Sequence, residues 1–469
     1  MLLRRYSSRL RHVATVLSSA ALLSLGALAI ASNSSASSSN SIVYQVSPLA
    51  VHDSANVPAD FLTPGFCVAN FGIACYGPDA FHTAYQIPWT INGQLAGTGQ
   101  KIAIVDAFGS PTIASDLATY DAAFKLPAAN LNVYYPDGKP TFGPSLQHGS
   151  LQAGWAEETS LDVETVHDLA PGAQINLIVA SSPNGNDINV ATRYAITNHL
   201  GDVLSMSFGA PEAAIAGGGN NLQLQQANAN FQSAVAAHIG LFASSGDSGA
   251  SNGYASANAL FPASDPNVTS TGGTNLFTNA ALGSPTSTDN TYASETTWND
   301  SYPTTCPFGC AYGVFGATGG APSSIFGAPS YQAALGLTAR ATSDVSFNAS
   351  VYTSTLIYLG FLGAGNGFYF FGGTSEASPS WAAIAADLNQ ANGSDLGALN
   401  PRLYALASNP STYAADFHDV TIGNNELPYP GPGSVSGQGY DLPTGLGTPI
   451  VSGLLNSLAP NATLGFTHP

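Results

Sequence analysis

The chain has 469 residues, of which only 8% are charged, with 10 Lys+Arg against 28 Asp+Glu and a formal net charge of −18. Typical soluble proteins carry about 25% charged residues. Outside the first 31 residues the only bases are Lys101, Lys125, Lys139, Arg193, Arg340 and Arg402, which leaves no basic patch for nucleic acid and suits acid conditions, where protonated carboxylates leave few like charges to repel.

The N-terminus reads as a targeting segment. Arg4, Arg5, Arg9 and Arg11 precede an apolar run, Val13 to Ile30, and Ala29-Ile30-Ala31 is a small-x-small cleavage site. Residues 1–31 are therefore expected to be a signal peptide, with the mature chain secreted and free of the membrane. Residues 32–75 read as a Ser/Asn-rich leader or short pro-segment. A catalytic domain is expected over 76–460 and a tail over 461–469. Cys67 and Cys75 form one close pair and Cys306 and Cys310 another; two local disulfides suit a secreted chain.

From Lys101 onward the sequence alternates. Apolar runs at 101–106, 175–180, 203–208, 240–244 and 268–274 read as buried strands. Helical stretches lie near 153–169, 187–199 and 222–238. Such alternation predicts an α/β fold with a central parallel sheet of about seven strands and helices on both faces, with its site where strands end. Residues 275–340, rich in Gly, Thr, Ser and Pro, read as long surface loops.

The helix over 153–169 carries Glu158 and Asp162 one turn apart on one face. At about 100° per residue, Trp155, Leu161, Val166 and Leu169 share that side, while Glu157, Ser160, Glu164 and His167 make an ordinary polar face opposite. Two carboxylates in an apolar stripe are costly unless they have a task, and their proximity raises one pKa, which prepares a base for acid pH.

Gly372-Gly373-Thr374-Ser375 is followed by three residues, Pro379 and an apolar helical run. Such a turn exposes a hydroxyl and aims N–H groups at an oxyanion position. Ser245-Gly246-Asp247-Ser248-Gly249 ends the fourth strand with an acid that suits a turn, a ligand or catalysis. A histidine-based triad has His148 as its nearest candidate, but His148 lacks the helix that should follow it.

Together with Ile102–Asp106, Leu169-Ala170-Pro171-Gly172-Ala173, Ser205–Gly209 and Tyr440–Gly447, these segments resemble the sedolisins, serine-carboxyl peptidases of subtilisin-like fold, over residues 76–459. The resemblance implies Ser375 as nucleophile, Glu158 as general base, Asp162 as its partner and a protonated Asp247 in the oxyanion hole. It implies one calcium ion held by Asp419, Asp441 and the carbonyls of Val420, Gly437 and Gly439. It implies a monomer acting on protein or peptide substrates, as an endopeptidase or by tripeptide release; an inactive binding protein on the same fold is the rival. Phe208 stands where some members have Trp, and Asp106 near a family glutamate, so Asp106 is a candidate for a wider carboxyl network.

Overall fold

The computed structural model describes residues 41–46, 49–51, 62–143, 146, 150–301, 316–428 and 431–469. The expected signal peptide, His148, Cys306 and Cys310 lie outside them. Within them Cys67 and Cys75 form a disulfide.

In chain order the elements that position the site are β1 (Leu49–Val51), α1 (Pro64–Phe71), β2 (Ala74–Tyr76), β3 (Lys101–Ala107), α2 (Ile113–Phe124), β4 (Asn130–Tyr134), α3 (Leu151–Leu169), β5 (Gln174–Ala180), α4 (Gly185–Thr197) and β6 (Val203–Met206). They continue as α5 (Leu222–Ala236), β7 (Gly240–Ser244), β8 (Thr269–Thr278), β9 (Tyr292–Thr297), β10 (Val345–Asn348), β11 (Thr353–Leu359), β12 (Gly367–Gly372) and α6 (Thr374–Asn392). An eight-stranded sheet runs β4-β5-β3-β6-β7-β8-β9, with β10 also on β8. Only β9 is antiparallel, which leaves seven parallel strands. A second sheet, ordered β1-β12-β11-β2, stands beside it.

The period-2 alternation of a strand sorts the apolar runs onto two cores. Ile102 and Ile104 of β3 join Val163 and Val166 of α3 and the alanines of α6. Ala103, Val105 and Ala107 join α4 and α5 on the other face. Both helix layers are thus specified by one seven-residue strand, and α6 is buried from Thr374 to Asn389. Among the described residues no helix is long and apolar enough to cross a membrane.

Two expectations need correction. The polar side of α3 is not a solvent face, because the helix is buried from Trp155 to Leu169. The second sheet and α2 cover it: Glu164 accepts the Tyr358 N–H of β11 at 2.8 Å, and His167 Nε2 lies 3.1 Å from Asp121. Residues 275–340 also hold regular structure. β8 extends to Thr278, wholly buried, and pairs with β9; threonines and aromatic residues such as Phe277 and Tyr292 suit a pleated sheet.

Several carboxyls are buried against hydroxyl and ring donors in place of cations. Glu295 accepts Tyr85 at 2.6 Å and Thr274 at 2.8 Å, and burial pushes its pKa up to about 7. Asp300 accepts Ser350 at 2.6 Å and Trp298 Nε1 at 2.7 Å, and burial lifts it to about 7 as well. A carboxyl raised on folding keeps its proton after the unfolded chain has lost its own, so stability is full below about pH 4, declines as pH rises toward 7, and then levels. The melting temperature is therefore expected to be several degrees higher at pH 4 than at pH 8, as calorimetry would show; the reverse order would contradict this reading.

Candidate active site

The site forms where β3, β6 and β7 end and α6 begins. Gly373, which caps α6, has φ of +125°, a conformation open to glycine. A Cβ there would lie 2.9 Å from Asp247 Oδ2. The backbone so turned presents Thr374, whose N–H is one of the helix's unpaired first-turn donors. Asp247 takes it: Oδ1 accepts the Thr374 N–H and hydroxyl, both at 2.7 Å. Burial raises Asp247 to about 6, against the lowering effect of those two bonds.

Ser375 follows, only 3% exposed. Pro379 has no N–H to give to the carbonyl four residues back, so the Ser375 carbonyl is left for another donor. Ser207, just past β6, supplies it at 3.2 Å and in return accepts the Ser375 hydroxyl at 3.5 Å. Ser378 is tied to Ser205 at 2.9 Å. Proline inside a helix thus welds the Ser375 turn to the end of β6.

Beneath Ser375 lie Glu158, Asp162 and Asp106, all fully buried. Their six oxygens have no hydrogen-bond partner within normal limits. Burial drives Glu158 well above the usual carboxylate range, the charge of Asp162 adds to this, and the Ser375 hydroxyl draws it back. Asp162 is raised by burial and then by Asp106, and lowered by Ser207. Asp106 is raised by burial and eased by Thr159. The structure thus brings together Ser375, Glu158, Asp162 and Asp247, the residues singled out from the sequence, and adds Asp106 to the same cluster. Trp155 of α3 packs against Phe208, just past β6, with ring centroids 6.0 Å apart.

A cavity of about 70 Å³ opens above Ser375, lined among others by Ser207, Phe208, Gly209, Asp247 and Thr374. Among the described residues its lining contains no histidine. Gln45 and Val46 also line it, and nothing local in the sequence points to them. Ser207 is the other residue that sequence reasoning gave no role, although it stands inside the Ser205–Gly209 motif.

The sequence model of the subtilase family matches residues 97–409. Kumamolisin of Bacillus sp. (strain MN-32) is 32% identical over 403 residues, 83% of this chain and 64% of that protein. Sedolisin of Pseudomonas sp. (strain 101) is 30% identical over 410 residues, 82% of this chain and 62% of that one. The chain belongs to the subtilase family, on its sedolisin branch. Tripeptidyl-peptidase 1 of Homo sapiens is also similar, 29% identical over 66% of this chain and 53% of that protein. The structure of Pseudomonas sedolisin (serine-carboxyl proteinase) complexed with two molecules of pseudo-iodotyrostatin superposes with a TM-score of 0.67 at 27% identity, over 83% of this chain and 99% of that one. The chain spans less than two thirds of the length of these curated relatives.

The expected calcium residues of this sedolisin-type chain meet on one turn. Asp419 accepts the Gly439 N–H at 3.0 Å and the Tyr413 hydroxyl at 3.0 Å. Asp441 accepts the N–H groups of Gly437 at 2.9 Å and Thr444 at 2.8 Å. Among the described residues, the carbonyls of Val420, Gly437 and Gly439 receive no hydrogen bond, and no three His, Cys, Asp or Glu side chains gather as a metal cluster. The donor set is therefore two carboxylates plus carbonyls, oxygen only, which fits calcium and not a softer metal.

Gly373→Ala is expected to leave the fold standing but displace Asp247 and the Ser375 turn, costing about 100-fold in turnover of a peptide substrate. Unchanged turnover in that variant would mean that the close approach of Gly373 to Asp247 is unimportant.

Proposed function

We propose that this chain is a secreted, acid-acting serine-carboxyl peptidase that cleaves protein or peptide substrates through an acyl-enzyme. The observation that supports it most is Ser375 standing over the buried carboxyls of Glu158, Asp162 and Asp106. In this reading Ser375 Oγ attacks the peptide carbonyl and Glu158 takes its proton. Asp162 shares the site's proton affinity with Glu158. The negative charge that builds on the carbonyl oxygen meets the N–H of Ser375 and the proton of neutral Asp247. The C–N bond then breaks, the amine leaves with the proton held by Glu158, and water releases the acyl group by the same steps reversed.

Secretion is supported by the arginine-led apolar run at the N-terminus and by the Cys67–Cys75 disulfide. Every catalytic side chain named comes from one chain, so the site is complete in a monomer. One structural calcium ion also belongs to this reading, held by Asp419, Asp441 and the three carbonyls, where it would neutralise the two acids and tie the 437–441 turn to the body.

The pH dependence has a definite sign. Glu158 must be ionised to accept a proton, so activity falls when pH is lowered through its raised pKa. Asp247 must be neutral, so activity falls as pH rises past about 6. Asp247→Asn keeps a donor that cannot ionise; its kcat/KM should lose the alkaline limb, whereas Asp247→Ala should fall about 100-fold to 1,000-fold at all pH values. Ser375→Ala should abolish cleavage. A wild-type optimum at or above neutral pH would sink the proposal, and cleavage that survives in Ser375→Ala would move the nucleophile elsewhere.

For the metal, a chelator should lower the melting temperature by several degrees, and calcium, but not magnesium, should restore it. Asp441→Asn should melt lower and ignore the chelator. A wild-type melting curve indifferent to chelation removes calcium from the reading.

A further inference from the structure

Asp247 is held by its backbone and by one of its two carboxyl oxygens. The N–H of Gly246 bonds to the Thr374 hydroxyl oxygen at 3.1 Å. Gly246 O accepts the Gly319 N–H at 2.6 Å, and Asp247 O accepts that of Ala317 at 3.1 Å. On the side chain, Oδ1 takes both the N–H and the hydroxyl of Thr374. Among the described residues no hydrogen bond reaches Oδ2. From the place a Cβ on Gly373 would occupy, Asp247 Oδ2 is 2.9 Å away and Ser375 N is 3.7 Å away. Oδ2 and the Ser375 N–H therefore border one small space, which the glycine keeps open.

A neutral carboxyl has one hydrogen and two unlike oxygens. With the hydrogen on Oδ2, Oδ1 is a carbonyl oxygen with two lone pairs, and both Thr374 donors are met. With the hydrogen on Oδ1, that oxygen would have to donate to the Thr374 hydroxyl. The Thr374 hydroxyl hydrogen would then have no acceptor among the described residues. The Thr374 N–H would also rest on a poorer, hydroxyl-type oxygen. Thr374 is fully buried, and a buried donor left without a partner is costly. The Gly246 N–H completes the lock, because it already holds the hydroxyl oxygen as an acceptor.

We infer that Thr374 is a positioning residue that keeps the Asp247 proton on Oδ2, aimed at the space beside the Ser375 N–H where the substrate's carbonyl oxygen becomes negative. The inference rests on the peptidase reading and adds to it a residue that acts only through another. Thr374 thereby has two opposed effects. Its donors favour the ionised form of Asp247 and hold the acid below the level that burial alone would set. The same donors leave the neutral form a single direction in which to give its proton. Glu158 of α3 is the titratable group coupled to Asp247 through charge. Segments 317–319 and 373–375 bring no other, and neither do the remaining residues of the cavity wall.

The test follows kcat, KM and the pH profile of peptide cleavage in the full chain and its Thr374→Val and Thr374→Ser variants. Thr374→Val keeps the shape and loses the hydroxyl. Its kcat should fall about tenfold with KM little changed, less than the loss of about 100-fold when an oxyanion donor is removed outright. Its alkaline limb should at the same time move up by about one pH unit, since a bond to the carboxylate is gone. Thr374→Ser should recover most of the rate and return the limb. A merely loosened turn would wet Asp247 and move the limb down, so a limb that stays or falls in Thr374→Val overturns the inference. Asp247→Asn carries its hydrogens on nitrogen whatever its oxygen accepts, and in that background the valine substitution should cost no more than about twofold. An equal cost in both backgrounds leaves Thr374 a packing role and also overturns it. One arm needs no variant: in an atomic-resolution crystal of the wild-type chain at acid pH, the longer carbon–oxygen bond of Asp247 should be the one to Oδ2, and a longer bond to Oδ1 overturns the inference. Each of these reversals leaves the peptidase reading intact, whereas a wild-type chain that cleaves no peptide at any pH removes both.

Discussion

Asp106, Glu158 and Asp162 are fully buried near Ser375, and among the described residues no cationic group contributes to the proton affinity of any of them. Buried carboxyls in that situation hold protons in preference to charge. The consequence is a site with very little net charge to stabilise, set in an interior that elsewhere pairs acids with hydroxyls and ring N–H groups. Arg340 with Asp344 is the buried exception, an ion pair closed by Asn400 and Tyr404. A chain with so few bases can bury acids in this way only while they stay neutral, so its sparse Lys and Arg and its buried carboxyls belong to one adaptation.

Much of the fold was legible because strands buried on both faces are continuous apolar runs. β3, β5, β6 and β7 fall within a residue or two of the expected segments, and so do α3, α4 and α5. The misreadings have one cause, which is burial of polar sequence. Glu157, Ser160, Glu164 and His167 form a stripe that normally faces water, yet a second sheet assembled from β1, β2, β11 and β12 covers it. Periodicity along one helix cannot report a layer contributed by residues 353–372. In the same way the last four residues of β8, Asn275 to Thr278, read as loop by composition and are buried strand by context.

The chemical residues were legible for a different reason. Glu158 and Asp162 violate the helix's own pattern, and Ser375 sits in a run whose glycine and proline each have a local consequence. Gly373 must adopt a positive φ beside Asp247, and Pro379 frees the Ser375 carbonyl for Ser207. Ser207 carried no such signal, because a serine at a strand end has many ordinary uses. Gln45 carried none either: its bonds to Gly209 span 164 positions, and backbone pairing leaves no mark on side-chain identity. What sequence reveals at this site is conflict with local rules, and what it hides is pairing that breaks none.

For the proposed peptidase reaction, charge balance favours a carboxylate over a histidine at this place. With histidine as base, proton transfer would create a cation and an oxyanion together, two new charges in a region buried from solvent. With Glu158 as base the site begins with one negative charge and ends with one. Glu158 becomes neutral, the form its burial favours, as the charge moves to the substrate oxygen beside neutral Asp247. The cluster never has to hold a second charge, provided that Asp162 and Asp106 both keep their protons. Asp106, near the end of β3 and within electrostatic reach of both α3 acids, would on the proposed reading act through their protonation. Burial, which makes the carboxyls expensive to ionise at rest, would bring the proposed transfer from Glu158 to the oxyanion closer to even in energy.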